Sequence, residues 1–164
     1  MSRAVLSLGS NLGDRLAYLQ SAVDGLRDQL KAVSPVYETA PWGVEDQPDF
    51  LNAVLIAEDE TADHWAWLRK AQQLEHAAGR VREQRWGPRT LDVDVVTVDD
   101  VRSDDPVLTL PHPGTPDRAT VLIPWLDIDP NAVLPGHGRA QDLLAKLDTA
   151  GVHRRDDLTL DGAG

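Results

Sequence analysis

The chain has no cysteine, and this absence excludes a disulfide framework, a thiolate zinc site and a cysteine nucleophile. Long apolar runs are absent as well, since no segment approaches the roughly 18 to 20 residues that cross a bilayer. The apolar stretch that follows Met-Ser-Arg at the N-terminus is too short for a signal peptide. We therefore expect a cytoplasmic protein that makes no membrane contact.

Cations are in the minority, with 16 Lys and Arg residues against 27 Asp and Glu residues and a formal net charge of -11. This charge argues against general nucleic-acid binding, because the phosphate backbone favours a basic surface. Four of the 16 cations nevertheless lie within ten positions, at Arg80, Arg82, Arg85 and Arg89. On an acidic protein such a cluster predicts a local anion site. The alternative is a solvated charged loop.

The length of 164 residues and the hydrophobic content of 41% predict one domain, spanning residues 1–164, with a substantial core. Four segments are predicted strands, at residues 3–8, 33–37, 50–57 and 90–98. The spacing of apolar residues predicts a helix after the first strand, with Asp14 as its N-cap and an apolar stripe that extends to Leu30. A second helix, with Thr61 as its N-cap, is predicted between the third and fourth strands.

This order of elements is that of a ferredoxin-like βαββαβ core, an α+β fold in which helices pack on an antiparallel sheet. Beyond residue 99 the chain is rich in Pro and Asp. There we expect a C-terminal extension with short helices near residues 117–126 and 139–147. The last ten residues are expected to be frayed.

Asp92 and Asp94 are the most informative pair of residues. Alternate residues of a strand point to the same face, so the two carboxylates lie roughly 6.5 to 7 Å apart along the chain. Asp is depleted in strands, and a partly buried pair needs a partner that compensates its charge. Magnesium is such a partner, since it binds one or two carboxylates together with substrate phosphates. The alternative is a pair of exposed carboxylates on a sheet edge.

The arginine cluster leads directly into this pair of aspartates. Guanidinium groups match phosphate oxygens bidentately and stay protonated. Arginines beside a two-carboxylate metal site are what the transfer of a polyphosphate group requires, because such chemistry depends on positioning and charge neutralisation. Trp86 lies within the cluster, and it is as well explained by a hydrophobic anchor as by stacking on a ligand.

Three motifs carry a resemblance to a known family. They are Gly-Ser-Asn-Leu-Gly-Asp at residues 9–14, Asp-Gln-Pro-Asp-Phe-Leu-Asn at residues 46–52, and Arg-Trp-Gly-Pro-Arg-Thr-Leu-Asp-Val-Asp at residues 85–94. In this order they resemble the pterin pyrophosphokinase family, over roughly residues 4–135. The last motif is long and highly specific.

The resemblance implies that the terminal pyrophosphoryl group of ATP moves intact to the hydroxymethyl group of 6-hydroxymethyl-7,8-dihydropterin, leaving AMP, in folate biosynthesis. It implies two Mg²⁺ ions held by Asp92 and Asp94, with Arg82 and Arg89 as further catalytic residues. The ATP-binding positions that it implies are Gln72, Glu75, Arg80, Arg82, Trp86, Arg89, Val95, Thr109, His112 and Arg118. The pterin-binding positions are Thr39, Ala40, Trp42, Phe50, Asn52 and Asp92. We expect these two small molecules as the partners of a monomer.

Phe50 and Asn52 share one face of the third predicted strand, which places an aromatic ring beside an amide. A pterin is a flat ring with a donor and acceptor edge, so stacking together with amide pairing suits it. Phe50 is the only Phe, and an ordinary core position is its alternative. Without the resemblance, Glu75 would be interpreted as a solvated helix residue and His112 as an exposed loop residue.

The chain departs from the family pattern at three places. The arginine loop between Arg82 and Arg85 is one residue shorter than in some relatives. Near Arg118, where some relatives have an aromatic residue on the second face of the pterin, this chain has Ala-Thr-Val. Phe50 stands where a Tyr also occurs, so the ring is kept and the hydroxyl is lost.

Two other hypotheses remain open from the sequence. The first is another magnesium-dependent nucleotide enzyme, such as a nucleotidyltransferase, which would release inorganic pyrophosphate. The second is a ferredoxin-like module that binds a ligand without catalysis, in which the two aspartates would be dispensable. The joint presence of the arginine loop, the aspartate pair and the Phe and Asn strand favours the pyrophosphokinase.

Overall fold

The computed structural model describes residues 2–40, 48–79 and 90–162. The strands are β1 (Ser2–Ser10), β2 (Leu30–Val33), β3 (Tyr37–Thr39), β4 (Phe50–Asp59), β5 (Asp92–Val98), β6 (Ser103–Asp105), β7 (Leu108–Leu110), β8 (Val133–Leu134), β9 (Gly138–Arg139) and β10 (Val152–Arg154). The helices are α1 (Arg15–Gly25), α2 (His64–Ala77), α3 (Ala119–Ile128) and α4 (Ala140–Leu144), with a short 3-10 turn at Thr115–Asp117. None of the helices in the described ranges has both the length and the apolar character needed to cross a bilayer.

An antiparallel sheet forms the centre of the fold, with the strand order β10-β3-β4-β1-β5 and with β2 paired to β4. The order of the first seven elements confirms the predicted ferredoxin-like core. The predicted strand at 33–37 is instead two short strands, β2 and β3, which lie along the same side of β4. Ser34 bridges the interruption before Pro35: its N–H donates to the Val54 carbonyl, and its hydroxyl accepts from the Val54 N–H.

Helices cover one face of the sheet and part of the other, which explains why its strands are more apolar than a half-exposed sheet would require. Helices α1 and α2 pack on one face, where the buried core includes Leu6, Leu8 and Leu55. Helix α3 packs on part of the other face, against a second cluster that includes Val54 and Leu122. The rest of that second face, toward the end of β1, is where the functional residues lie.

The helix ends correct two of the predictions. Asp14 caps α1 as predicted, since its carboxylate accepts from the Ala17 N–H at 3.1 Å. The helix stops at Gly25, however, and Leu30 belongs to β2, where it pairs with Ala57. Helix α2 is capped by Asp63 rather than Thr61. Leu30 continues the helical spacing of the apolar stripe but also suits a short strand, so spacing alone did not place the end of the helix.

The C-terminal residues make more contacts with the rest of the fold than the sequence predicts. Helix α4 is shorter than the predicted helix at 139–147. The described residues near the C-terminus, expected to be frayed, instead follow strand β10 and pack on the fold. Leu160 is only 8% exposed, and the Asp161 N–H donates to Gln20 Oε1 at 2.8 Å.

Candidate active site

Strand β5, at one edge of the sheet, carries the two predicted metal-binding aspartates. Asp92 lies opposite Gly9 of β1 and Asp94 lies opposite Ser7, so the two carboxylates share one face of the sheet. Both side chains are partly buried, and Asp94 exposes 31% of its side-chain surface. The residues between and beside them, Leu91, Val93 and Val95, are buried. The prediction that the pair projects from one surface is confirmed.

The electrostatic environment of Asp94 favours its neutral form in the absence of a cation. Burial, followed by repulsion from the Asp92 carboxylate, raises the pKa of Asp94 to about 7. Glu75 adds to the repulsion, and the Arg118 guanidinium opposes it. A bound cation would reverse this balance, because it favours the charged form of each carboxylate.

Glu75 has a contact that the sequence did not predict. Its side chain is buried, at 3% exposure, and its Oε2 atom accepts a hydrogen bond from the Val93 N–H at 2.9 Å. Val93 is the residue between the two aspartates, and its N–H lies on the outer edge of the sheet, where no further strand pairs with β5 in the described chain. Glu75 therefore fixes the strand that carries the pair, in addition to facing the site. The alternative of a solvated helix residue is wrong.

His112 lies across from Asp94. Its Nε2 atom is 3.9 Å from Asp94 Oδ1, and its backbone N–H donates to the Val96 carbonyl at 2.9 Å. Burial, followed by the nearby positive charge of Arg118, lowers the pKa of His112. The imidazole is therefore mostly neutral at pH 7, able to donate or accept one hydrogen bond at each nitrogen.

A cavity of about 290 Å³ lies along the outer edge of β5, between α2 and the β6–β7 hairpin. The structure brings most of the predicted ATP-binding residues of the described chain into its wall: Gln72, Glu75, Val95, Thr109 and His112 line it, together with both aspartates. Arg118 is close enough to affect the Asp94 pKa, although it is not part of the wall.

Apolar side chains from both α2 and the hairpin also line this cavity, and the sequence analysis missed them. The apolar residues are Leu68, Ala71, Pro106, Val107 and Leu108. Val107, at the tip of the hairpin, is 68% exposed. Leu68 stands four residues before Gln72 on α2, so helical spacing would have placed it on the same face.

The predicted pterin residues lie two strands away from Asp92 on the same face of the sheet. Asn52 of β4 pairs with Gly9, and Gly9 in turn pairs with Asp92 of β5. A Cβ atom on Gly9 would lie 3.3 Å from Asn52 Nδ2 and 3.4 Å from a ring carbon of Phe50. Gly9, from the first motif, therefore has no side chain to fill the sheet surface between the Asn52 amide and the Asp92 carboxylate. We call this open surface the floor of the acceptor subsite.

Neighbouring contacts hold these residues in place. Thr39 is buried, at 6% exposure, and its hydroxyl donates to Asn52 Oδ1 at 2.7 Å. Phe50 is half-buried and is not part of either core cluster. Asn11 of the first motif donates from Nδ2 to the Pro48 carbonyl at 3.2 Å, which ties the two motifs together. Ala40 is exposed at the end of the described segment.

Comparison with known proteins decides the family. The family model described as 7,8-dihydro-6-hydroxymethylpterin-pyrophosphokinase matches residues 5–130. The chain belongs to this pyrophosphokinase family. It is 55% identical over 161 residues to the 2-amino-4-hydroxy-6-hydroxymethyldihydropteridine pyrophosphokinase of Mycobacterium leprae, covering 90% of this chain and 84% of that protein. The enzyme of the same name from Mycobacterium tuberculosis is 53% identical over 162 residues, covering 92% and 86%.

Solved structures support the fold. A Plasmodium falciparum HPPK-DHPS crystal structure, the wild type with pteroate, superposes with a TM-score of 0.68 at 12% sequence identity, covering 88% of this chain and 44% of that chain. A triple mutant of the same protein with STZ-DHP gives 0.68 at 13% identity. The chain thus spans less than half of these solved chains, and the likeness shows the shared fold.

The remaining predicted site residues of this pyrophosphokinase lie outside the described residues. They are Trp42, in residues 41–47, and Arg80, Arg82, Trp86 and Arg89, in residues 80–89. Their roles stay predictions. Of the Ala-Thr-Val segment after Arg118, Ala119 and Val121 are buried.

The donor set of the pyrophosphokinase site fits magnesium. Within the described ranges, no group of three His, Asp or Glu side chains forms a site for a metal ion. The two carboxylates of Asp92 and Asp94 instead offer hard oxygen ligands on one face, beside a cavity. Mg²⁺ is commonly bound by one or two carboxylates and completed by phosphate oxygens and water, and the raised Asp94 pKa reflects the negative charge that a cation would neutralise.

Proposed function

We propose that the chain transfers the terminal pyrophosphoryl group of ATP to the hydroxymethyl group of 6-hydroxymethyl-7,8-dihydropterin, giving AMP and the pterin diphosphate. Membership of the pyrophosphokinase family and the named mycobacterial relatives support the reaction and its place in folate biosynthesis. The observation that carries the proposal is the row Asn52, Gly9 and Asp92, which joins an acceptor subsite to the metal-binding carboxylates across three neighbouring strands.

ATP is the donor that suits the cavity beside β5. Apolar side chains of α2 and of the hairpin line this cavity and suit a nucleotide base, while Gln72 and Thr109 add polar groups. His112 and Arg118 lie at the end near Asp94, where a phosphate chain would run. A neutral imidazole donates a hydrogen bond to a phosphate oxygen, and a guanidinium binds phosphate oxygens bidentately.

The acceptor subsite suits a pterin. Phe50 offers a partly exposed ring for stacking, and Asn52 offers an amide whose Oδ1 is already occupied by Thr39. The Asn52 NH₂ group is thereby oriented as a donor toward the open floor above Gly9. Neighbouring strands are about 4.8 Å apart, so Asn52 and Asp92 lie roughly 10 Å apart. That span matches a pterin ring whose hydroxymethyl group points at the carboxylates.

Two Mg²⁺ ions on Asp92 and Asp94 would neutralise the phosphate charge and lower the pKa of the acceptor hydroxyl, so no side-chain base is required. The chain's own residues hold both substrates in line, which is the main requirement of phosphoryl-group transfer. Arg82 and Arg89 complete the proposal as phosphate ligands, on the basis of the family pattern.

We further infer that the chain forms a single domain and acts as a cytoplasmic monomer. The central sheet includes strands from both ends of the described chain, β1 and β10. The exposed large hydrophobic residues of the described ranges are Leu12, Val107 and Val133, which lie in three different parts of the fold: the loop after β1, the β6–β7 turn and β8. The absence of cysteine suits a reducing compartment. Light scattering on the purified protein should give the mass of one chain.

The products of the reaction test the proposal. With ATP, Mg²⁺ and the hydroxymethyl-dihydropterin, the purified protein should release AMP in equal amount to pterin diphosphate. Formation of ADP would contradict it, and release of inorganic pyrophosphate would indicate a nucleotidyltransferase. Asp92→Asn and Asp94→Asn should each lower kcat by at least about a thousandfold, whereas Asp100→Asn, an exposed control in the turn that follows β5, should not. Full activity in the first two variants would favour a module in which the pair is dispensable.

A further inference from the structure

The C-terminal strap, defined here as residues 152–162, lies beside the acceptor subsite and has no role in the reaction as proposed so far. Its first part is β10, which adds a strand to the sheet: Val152 pairs with Thr39 and Arg154 pairs with Tyr37. The Arg155 N–H then donates to the Val36 carbonyl at 2.8 Å. The strap therefore covers the outer edge of β3, the strand that carries Thr39.

Glu38 connects the strap to the rest of the fold through two arginines. Arg155 Nη1 donates to Glu38 Oε1 at 3.2 Å, and Arg15 Nη1 of α1 donates to Glu38 Oε2 at 2.6 Å. The three side chains are between 24% and 30% exposed, so they are shielded more than an ordinary surface pair. The hydrogen bond from Arg15 lowers the pKa of Glu38, which keeps the carboxylate charged at neutral pH.

The same network reaches the residue before Phe50. Arg15 Nη1 also donates to the Asp49 carbonyl at 2.9 Å, which fixes the entry of the chain into β4. Glu38 stands next to Thr39 on β3, and Thr39 pairs with Phe50. The two arginines thus fix both strands of the acceptor subsite, β3 from its outer edge and β4 at its start.

We propose that the strap is a positioning element for the acceptor subsite, and that Arg155, Glu38 and Arg15 are positioning residues for the pterin. The inference rests on the proposed function, because it takes the pterin as the occupant of the subsite. The residues touch no reacting atom. They hold Thr39 and Phe50 in register, and a displaced β3 would turn the Thr39 hydroxyl away from Asn52, whose amide orientation depends on it.

The strap is anchored at its far end as well, so it is a fixed part of the fold. Leu160 is buried against the core, and Leu158 packs on it. The Asp161 carbonyl accepts from Gln20 Nε2 of α1 at 2.8 Å. These contacts are expected to contribute to stability. Their loss would lower the melting temperature and the active fraction without selecting between the two substrates.

Steady-state kinetics of Arg155→Met distinguish a strap that positions the acceptor subsite from a strap that only stabilises the fold. We expect the KM for the pterin to rise about fivefold, the value of a partly shielded ion pair, with the KM for ATP and kcat unchanged. Glu38→Gln weakens both pairs and should raise the pterin KM about tenfold. Arg155→Lys, which keeps a donor, should recover part of the affinity. Arg139→Met is the control: Arg139 is exposed on β9, outside the strap and both subsites, and its loss should leave both KM values unchanged.

Three results would overturn the inference: an unchanged pterin KM in Arg155→Met, an equal rise in both KM values, or a fall in kcat with a lower Tm and unchanged KM values. If Arg155→Met is too unstable to assay, the milder Arg155→Lys and Glu38→Gln are judged by the same ratio of KM values.

Hydrogen exchange of the substrate-free protein tests the strap separately from the reaction. Arg155→Met should accelerate exchange at residues 37–39 and 50–52, while exchange in β5 stays unchanged. Unchanged exchange at 37–39 would contradict the inference even if the wild type is an active pyrophosphokinase. A wild type that does not use the pterin, with the exchange result as expected, would contradict the proposed function and keep the strap as a fixed support of this subsite.

Discussion

At the scale of single residues, Asp94 combines a function with a cost in stability. Its carboxylate is partly buried, and it lies within the electrostatic reach of Asp92 and Glu75. In the metal-free protein these neighbours disfavour its charged form, and the Arg118 guanidinium offsets this effect only in part. A catalytic site that binds a cation is expected to concentrate negative charge in this way.

We predict that Asp94→Asn stabilises the metal-free protein at high pH while it abolishes turnover. The folded state raises the Asp94 pKa from 3.8 to about 7, so between these values the folded protein holds a proton that the unfolded chain has released. Wild-type stability therefore falls as the pH rises through this window. At pH 8 the variant should be more stable by on the order of 1–2 kcal/mol, a value discounted for solvent screening. Thermal unfolding from pH 4 to 8 without divalent cations measures the difference, and a difference that does not grow with pH would contradict the account.

Glu75 supports a second prediction. Glu75→Ala removes the acceptor of the Val93 N–H and should destabilise the protein by about 2 kcal/mol, the cost of a buried donor that loses its partner. Glu75→Gln keeps an acceptor oxygen and should retain most of the stability. Urea unfolding of both variants at pH 7 gives the comparison. Equal stability of the two variants would show that the hydrogen bond to β5 is unimportant.

These residues differ in how far the sequence predicts them. The period of two along β5 was sufficient to place Asp92 and Asp94 on one face, because a strand has only two faces. The hydrogen bond from the Val93 N–H to Glu75 could not be predicted, since it depends on how closely α2 approaches the strand edge. The N-cap of α2 was misassigned for a similar reason: Thr61 and Asp63 both suit a cap, and the local turn decides between them.

At the scale of elements, the end of β1 supports the substrate floor. Gly9→Val should raise the KM for the pterin by about tenfold or more, because its side chain would occupy the space between Asn52 and Asp92. The KM for ATP should change much less, since the cavity beside β5 does not include Gly9. Gly151→Ala, where an added Cβ meets no atom within 4 Å, is the control. A rise of both KM values together would contradict the separation of the two subsites.

The β6–β7 hairpin supports a prediction for the other substrate. Val107 is 68% exposed and lines the cavity, so Val107→Ser should raise the KM for ATP by about threefold through lost apolar contact. The melting temperature should not change, because the side chain is exposed in the free protein. Val133→Ser, at an exposed position of β8 outside the cavity wall, should leave the KM for ATP unchanged. An unaltered KM for ATP in Val107→Ser would show that the hairpin is not part of the nucleotide site.

The helices and strands were predicted best where their periodic pattern of apolar residues was long. Strand β4 and helix α2 followed their periodicity, whereas β2 and β3 were merged into one predicted strand. The division depends on Ser34, which bonds to Val54 on the neighbouring strand, and no local pattern reports that contact. The strap was expected to be frayed because its sequence is polar and terminal, although its pairing with β3 and the burial of Leu160 are long-range.

At the scale of the whole molecule, the sheet brings together residues that are far apart in the chain. Asn52, Gly9 and Asp92 come from the second, first and third of three chain segments that are adjacent only in the sheet order β4-β1-β5. The antiparallel order places their ends at one edge of the fold, where α3 no longer covers the second face. The fold therefore provides one donor cavity and one acceptor floor on either side of the aspartate pair.

The most direct test of this account is the binding of Mn²⁺, a paramagnetic substitute for Mg²⁺, measured by electron paramagnetic resonance with a non-hydrolysable ATP analogue. The wild-type protein should bind about two ions per chain in the ternary complex. The double variant Asp92→Asn, Asp94→Asn should bind no more Mn²⁺ than the free nucleotide does. Equal Mn²⁺ binding by the variant and the wild type would contradict the central claim that these two carboxylates form the metal site.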